Sequence, residues 1–232
     1  MKRSEINAIM RSACQFIQDS HFVLPPFAYW TPGEWRSKGE EVREIVDNKL
    51  GWDITDFGSG DFEKVGLFLF TIRNGSPENI KTLQGKLYAE KILIIQVGQV
   101  TPLHYHASKV EDIINRSGGR LGIELYSSLP DGGLDRISEV QVSLDGVVHT
   151  LPAGGKVFLS PGESITLTSG LYHRFWAEDA PVLAGEVSSV NDDDTDNYFY
   201  DAPGRFPAIQ EDEPPLYLLC NDYPRYYGLG RQ

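Results

Sequence analysis

Past Gly51 the chain falls into short runs of aliphatic, β-branched and aromatic residues, punctuated by Gly, Pro, Asn and Asp: KVGLFLFTIRNG, LYAEKILIIQVG, RLGIELYSS, EVQVSLDG, VVHTLPAG, KVFLSPG, SITLTSG and VLAGEVSSV. Many short strands with few helical patterns between them argue for an antiparallel sandwich or barrel, a mainly β fold. Asp145-Gly146, set between alternating apolar residues in SLDGVV, is the sharpest hairpin signal. Ahead of the strands, Ile6, Ile9, Met10, Ala13, Phe16 and Ile17 recur at three- and four-residue spacing. They predict a helix from Ser4 to Asp19, with Ser4 as N-cap and Pro25 and Pro26 beyond its end. TPGEWRSKGEEVREIVDNKLGW predicts a second helix, capped by Thr31, with Pro32 in the first turn and Gly51 as the stop. The stretch NDDDTDNYFYDAPGRFPAIQEDEPPLY is acidic, aromatic and proline-rich, and is expected to wrap over the sheet or close a site.

Charge narrows the partners. With 33 acidic against 21 basic residues, a net charge of −12 and no basic stripe, the chain is a poor match for nucleic acid or an anionic membrane. A neutral small molecule or a cation suits it. No stretch approaches the roughly 18 uninterrupted apolar residues of a membrane helix, and MKRSEINAIM lacks the apolar run of a signal peptide, so a soluble cytoplasmic protein is expected. Cys14 and Cys220 lie far apart and outside any CxxC pattern, and read as reduced structural thiols.

The stretch QVTPLHYHASKVEDII carries the chemistry. On a strand, residues two apart share a face, so His104 and His106 present two imidazoles side by side. Glu111 follows beyond a short turn, where a neighbouring strand can return it. Two nitrogens and a carboxylate suit a divalent first-row metal. His173, after the glycine turn in TSGLYHRFW, is the best remaining candidate for a fourth ligand. Taken alone, a HxH pair is more often a polar patch on an exposed edge strand.

The surrounding residues resemble the first motif of the cupin superfamily, G-x5-H-x-H-x3-4-E-x6-G, here Gly98, His104, His106, Glu111 and Gly118. The second motif is matched at Gly162, Gly170 and His173, with Thr168 in place of its proline and Ala177 in place of its asparagine. The resemblance implies a cupin-type, jelly-roll-like β-barrel with N-terminal helices. Residues 1–232 then form a single domain, with a helical segment over about 1–55 and a wrapping segment over about 191–232. It also implies that His104, His106, Glu111 and His173 each supply one metal ligand inside the barrel.

The fold does not fix the chemistry. Nearly end to end, however, the chain resembles the bacterial D-lyxose ketol-isomerases, through TPGEWRSKGEEVREIVDNKLGWDITDFG, YAEKILIIQVGQVTPLHYHASKVEDIINR and GEVSSVNDDDTDNYF. That resemblance implies interconversion of free D-lyxose and D-xylulose, and of D-mannose and D-fructose, with Mn2+ as cofactor, in a homodimer. Moving a carbonyl between C1 and C2 needs polarised sugar oxygens and a carboxylate that carries a proton between adjacent carbons, here through a cis-enediol. Glu186 in PVLAGEVSSV shares a face with Val182, Ala184 and Ser188, and a carboxylate on a mainly apolar face is costly unless paired or set in a cavity. It is the candidate proton shuttle; the alternative is a solvated rim carboxylate. Lys91 alternates with Leu93, Ile95 and Val97 and is its companion, able to bind a sugar oxygen; the alternative is a lysine reaching water at the strand start. Asp196 and Arg205 are weaker candidates for contacts to substrate, and Tyr105 and Trp176 should point away from the metal. His21 and His149 read as ordinary, partly buried histidines. Two rival readings remain, an iron-dependent cupin dioxygenase with the same ligands, and a non-catalytic sugar-binding cupin.

Overall fold

The computed structural model describes residues 1–192, 195–201 and 208–228. Arg205 lies outside these residues. Helix α1 (Arg3–Asp19) leads to a 3-10 turn at Pro26–Tyr29, α2 (Pro32–Arg36), a second 3-10 turn at Glu40–Val42 and α3 (Arg43–Asp47). Then come β1 (Gly51–Thr55), β2 (Leu67–Arg73), helix α4 (Pro77–Thr82), β3 (Tyr88–Ile95), β4 (His104–His106), β5 (Glu111–Gly118) and β6 (Leu121–Ser128). They are followed by β7 (Leu134–Asp135), β8 (Val140–Leu144), β9 (Val147–Leu151), β10 (Gly155–Leu159), β11 (Ser164–Leu167), β12 (Leu171–Ala177), β13 (Val182–Ser189) and β14 (Asn197–Phe199). A 3-10 turn at Cys220–Asp222 runs into α5 (Tyr223–Tyr226).

The strands form two sheets, one ordered β1-β2-β3-β13-β5-β11-β8-β9 and the other β10-β6-β12-β4-β14, with β7 on β6. All pairings of these strands are antiparallel. This is a cupin-type barrel: the inward rows of both sheets meet in one core of Leu69, Leu93, Ile95, Ile113, Leu121, Ile123, Leu125, Phe175, Val182 and Ala184, among others. The outward row of the larger sheet, with Trp52, Ile54, Phe68, Phe70, Ile92, Ile94 and Leu183, is covered by Ile6, Met10, Ala13 and Ile17 of α1. The helical periodicity thus records a helix lying on a sheet, each large buried side chain contributing about 1.5–3 kcal/mol.

The helical region departs from expectation in two places. Helix α1 starts one residue early: Lys2 is its N-cap, its backbone N–H donating to Glu5 Oε2 at 2.7 Å. Ser4 instead turns to the C-terminal segment, donating its backbone N–H and hydroxyl to Asp212 at 2.9 and 2.6 Å. The second helix begins as expected, with a capping box between Thr31 and Glu34, but is broken after Arg36. Trp35 is drawn into a cluster with Val42, Leu218, Tyr223 and Tyr226, its ring 4.5 Å from that of Tyr223. Gly39 leaves the helical conformation, its carbonyl accepting from the Tyr227 hydroxyl at 2.9 Å. Contacts to the far end of the chain therefore override helix propensity here. The Asp145-Gly146 hairpin forms as expected between β8 and β9, both turn residues having positive φ. Cys14 and Cys220 are thiols rather than a disulfide, and His21 and His149 are exposed rather than partly buried.

Candidate active site

Strand register gathers the polar residues at one place in the barrel. Along β3 the inward row reads Lys91, Leu93, Ile95, and along β13 it reads Val182, Ala184, Glu186. Antiparallel pairing sets Glu186 directly opposite Lys91 on one side and Ile113 on the other. Strand β5 opens its inward row with Glu111 ahead of Ile113. Strand β12 carries His173 between Leu171 and Phe175, opposite His104 of β4. Each strand thus passes from an apolar to a polar inward residue at a matching level.

Two glycines of the sequence motifs fix the turns around this point. Gly118 has φ +97° and lies so close to the Pro181 carbonyl that a Cβ would collide with it. Gly170, at φ +76°, opens the turn before β12 and donates its N–H to the His106 carbonyl at 2.8 Å, tying the strand of His173 to that of His106.

The ring centroids of His104 and His173 are 4.3 Å apart, of His104 and His106 5.2 Å, and of His106 and His173 5.5 Å. One nitrogen from each falls within a 4.8 Å group. Nδ1 of His104 donates to the Pro102 carbonyl at 2.8 Å and Nδ1 of His173 to the Leu171 carbonyl at 2.9 Å, the only roles open to them against carbonyl oxygens. The Nε2 lone pairs are left for another partner. Burial, with the neighbouring His173 and His106, pushes His104 well below the usual imidazole range. Burial and Lys109 lower His106. Burial alone would raise the Glu111 carboxyl, but Lys109 and His106 hold it well below the ordinary carboxylate range.

Glu111 Oε1 stands 3.2 Å from His173 Nε2 and 3.4 Å from His106 Nε2. Nε2 of His173 is a buried nitrogen with no hydrogen-bond partner, set against the Glu111 carboxylate. A cation between them would serve both. Two donors bound at about 2.1 Å to one ion stand about 3 Å apart, close to the spacing observed. Neutral imidazoles and an ionised carboxylate are the forms a divalent ion requires, so the donor set fits such an ion.

Beside this group lies a second one. Lys109 Nζ is 2.7 Å from Glu111 Oε2 and 2.9 Å from Glu186 Oε1, and Lys91 Nζ is 3.3 Å from Glu186 Oε1. Asn191 Oδ1 accepts from Lys91 at 2.6 Å and from Lys109 at 3.3 Å. Lys91, Lys109, Glu111 and Glu186 are all buried, so Glu186 is not a rim carboxylate and Lys91 does not reach water. Both lysines and both glutamates line the same cavity as the three histidines.

Asp196 differs from expectation. It is buried but does not line the cavity. Its Oδ1 accepts from the Ser108 N–H and hydroxyl at 2.7 and 2.6 Å, and its Oδ2 from the Lys109 N–H at 3.0 Å. Oδ2 is also 3.9 Å from His106 Nδ1. The carboxylate therefore holds the turn that delivers Lys109 and backs the His106 ring. Tyr105 points away from the histidines, as alternation requires, stacking on Tyr198 and meeting Tyr172 edge-on. Trp176 also points outward, packing edge-on against Phe158.

Fold and site together define a class: a cupin-type β-barrel with a three-histidine cluster that could hold a metal ion and a lysine–carboxylate cluster against it. A sequence model of the D-lyxose isomerase family matches residues 1–223, and the chain belongs to that family. It is 47% identical over 229 residues to a D-lyxose/D-mannose isomerase of Serratia proteamaculans, covering 97% of this chain and 99% of that one. A D-lyxose/D-mannose isomerase of Escherichia coli O157:H7 is also 47% identical, over 97% of this chain and all (100%) of its own. Among solved structures, an L-ribose isomerase of Acinetobacter sp. DL28 superposes with a TM-score of 0.59 at 16% identity, over 90% of this chain and 98% of that one. At that identity the likeness speaks for the fold alone.

Proposed function

We propose that the chain is a metal-dependent aldose–ketose isomerase acting on free sugars, converting D-lyxose to D-xylulose and D-mannose to D-fructose. The observation that carries this reading is Glu186, a buried carboxylate flanked by two ammonium groups, one of them shared with Glu111 of the histidine cluster. Membership of the D-lyxose isomerase family supplies the sugars. His104, His106, Glu111 and His173 hold the ion, and Mn2+ is the proposed identity. When bound, the ion supplies the Lewis acidity that polarises the sugar oxygens at C1 and C2.

The chain's own groups do the rest. Glu186 takes the proton from C2 of the open-chain aldose while the ammonium of Lys91 or Lys109 gives one to the C1 carbonyl oxygen, forming a cis-enediol. Glu186 then returns its proton to C1 as the C2 hydroxyl gives its own back to the same amine, leaving the ketose. Lys91 and Lys109 orient the Glu186 carboxylate. Freed from it as it takes up the proton, either ammonium can donate to a sugar oxygen. Asp196 holds the turn of Lys109 and Asn191 spans both lysines, so both act through other residues. A homodimer in the cytoplasm is the proposed setting.

A panel of free aldoses assayed with added Mn2+, before and after chelation, tests the reading; turnover of D-lyxose that chelation abolishes is expected. Uptake of oxygen with iron, and no sugar turnover with manganese, would favour the dioxygenase instead. Running the reaction to equilibrium in heavy water and finding no deuterium at the migrating carbon by NMR would replace proton transfer by a hydride shift.

A further inference from the structure

The cavity lining sets the imidazoles, carboxylates and ammonium groups beside Phe57, Leu67, Leu69, Leu93, Phe175 and Phe199. The aliphatic residues and Phe175 sit on β2, β3 and β12, strands paired on both sides. Phe57 and Phe199 do not: the first is on the loop after β1, the second on the edge strand β14. Their rings meet edge to face at 5.8 Å, and Phe199 lies over the His104 ring at 5.4 Å.

Phe57 is also strained. Its φ of +52° is in the left-handed region, which a bulky side chain rarely adopts. The loop holds it there. The Phe57 N–H donates to Thr55 Oγ1 at 3.0 Å, and the Asp56 carboxylate accepts from the Gly58 N–H at 2.9 Å and the Gly60 N–H at 3.2 Å. The result is a phenyl ring buried to 5% exposure and aimed into the cavity. Such strain persists where the surrounding structure over-determines it, and it concentrates at functional sites. The cavity is small, about 50 Å3, and within its lining the loop and edge residues are the parts least fixed by strand pairing.

We infer that Phe57, braced by Phe199, is a specificity-determining residue that limits the length of the sugar tail and favours a five-carbon aldose over its six-carbon counterpart. The inference rests on the proposed isomerase activity. With C1 and C2 held by the polar groups, the sugar tail is left to the apolar part of the lining, where one more hydroxymethyl group presses on the Phe57 ring. Phe57 meets the cluster through Phe199, whose ring lies over His104.

The test compares wild type, Phe57→Leu and Phe57→Ala. One measurement is kcat/KM for D-lyxose and D-mannose; the other is calorimetric binding of the unreactive polyols D-arabinitol and D-mannitol. The expected result is a rise of about 10-fold in the hexose-to-pentose ratio for Phe57→Ala, less for Phe57→Leu, with a parallel gain of D-mannitol over D-arabinitol. If Phe57→Ala does not fold, Phe57→Leu decides. An unchanged ratio in a folded variant of an enzyme that turns over D-lyxose overturns the inference and leaves the activity standing. If wild type isomerises neither sugar, the proposed activity fails, and the polyol pair decides alone, unchanged relative affinities overturning the inference.

Discussion

Arg3 and Lys109 are both buried cations, 0% and 3% exposed, and each bridges two carboxylates. Arg3 joins Glu211 to Asp222; Lys109 joins Glu111 to Glu186. The Arg3 guanidinium donates four hydrogen bonds of 2.9–3.0 Å in two bidentate pairs. Asp222 Oδ2 also accepts the Leu219 N–H, and Glu211 Oε1 accepts from Arg225. This is a closed set that pins α1 to the C-terminal segment. Around Lys109 the set is open: Glu111 turns its second oxygen to two imidazoles, and Glu186 faces a cavity. A charge cluster whose carboxylate oxygens all accept from its own cation stabilises a fold, whereas one with a carboxylate oxygen turned to buried imidazoles has chemistry left to do.

Breaking the open set should cost activity first. Chelation of the metal-loaded protein removes a Lewis acid worth several kcal/mol, so kcat should drop by about 10,000-fold and return on adding Mn2+. Metal analysis and a steady-state assay check this. Glu186→Gln should lower kcat by about 1,000-fold with little change in KM. Its circular dichroism should stay native, because the amide oxygen still accepts from both lysines.

Breaking the closed set should cost stability instead. Arg3→Met leaves two carboxylates without their buried partner and should remove about 3–5 kcal/mol in urea unfolding, with kcat per folded molecule kept. The smallest effect is one of pH. The hydrogen bond from Arg3, opposed by partial burial, holds Glu211 below the usual carboxylate range. In the unfolded chain the group titrates near its ordinary value, about 4.3. Its contribution is therefore complete above that value and is lost as pH falls from there through the lower folded value. The stability gap between wild type and Glu211→Gln should hold steady at neutral pH and close in acid; a gap independent of pH would remove Glu211 from the clamp's energetics.

The open set was the more legible of the two in the sequence. Alternation along a strand assigns an inward face to His104, His106, His173, Lys91 and Glu186 from local order alone. Lys109 sits in the ASKVE turn, where no period applies, and its backbone is fixed by Asp196 from a distant segment. Asn191 follows β13 and is likewise held by tertiary bonds, to Asn74. Neither left a periodic signal, though Lys109, two residues before Glu111, stands inside the motif itself. Arg3 was hidden for the same reason, since its partners lie more than 200 residues away. The predicted second helix failed where Trp35 and Gly39 are claimed by Tyr223 and Tyr227, contacts that no local pattern announces.

The pairing of Glu186 with Lys91 across β13 and β3 carries a further consequence. A strand's two faces exchange with every single-residue slip. Deleting one residue from the middle of either strand would turn the carboxylate or the ammonium out of the barrel and expose the apolar row behind it in the same move. Length variation among descendants of this gene should therefore avoid these strands and gather in loops such as the β8–β9 turn. Selection for folding alone would then be enough to keep the reacting groups aligned.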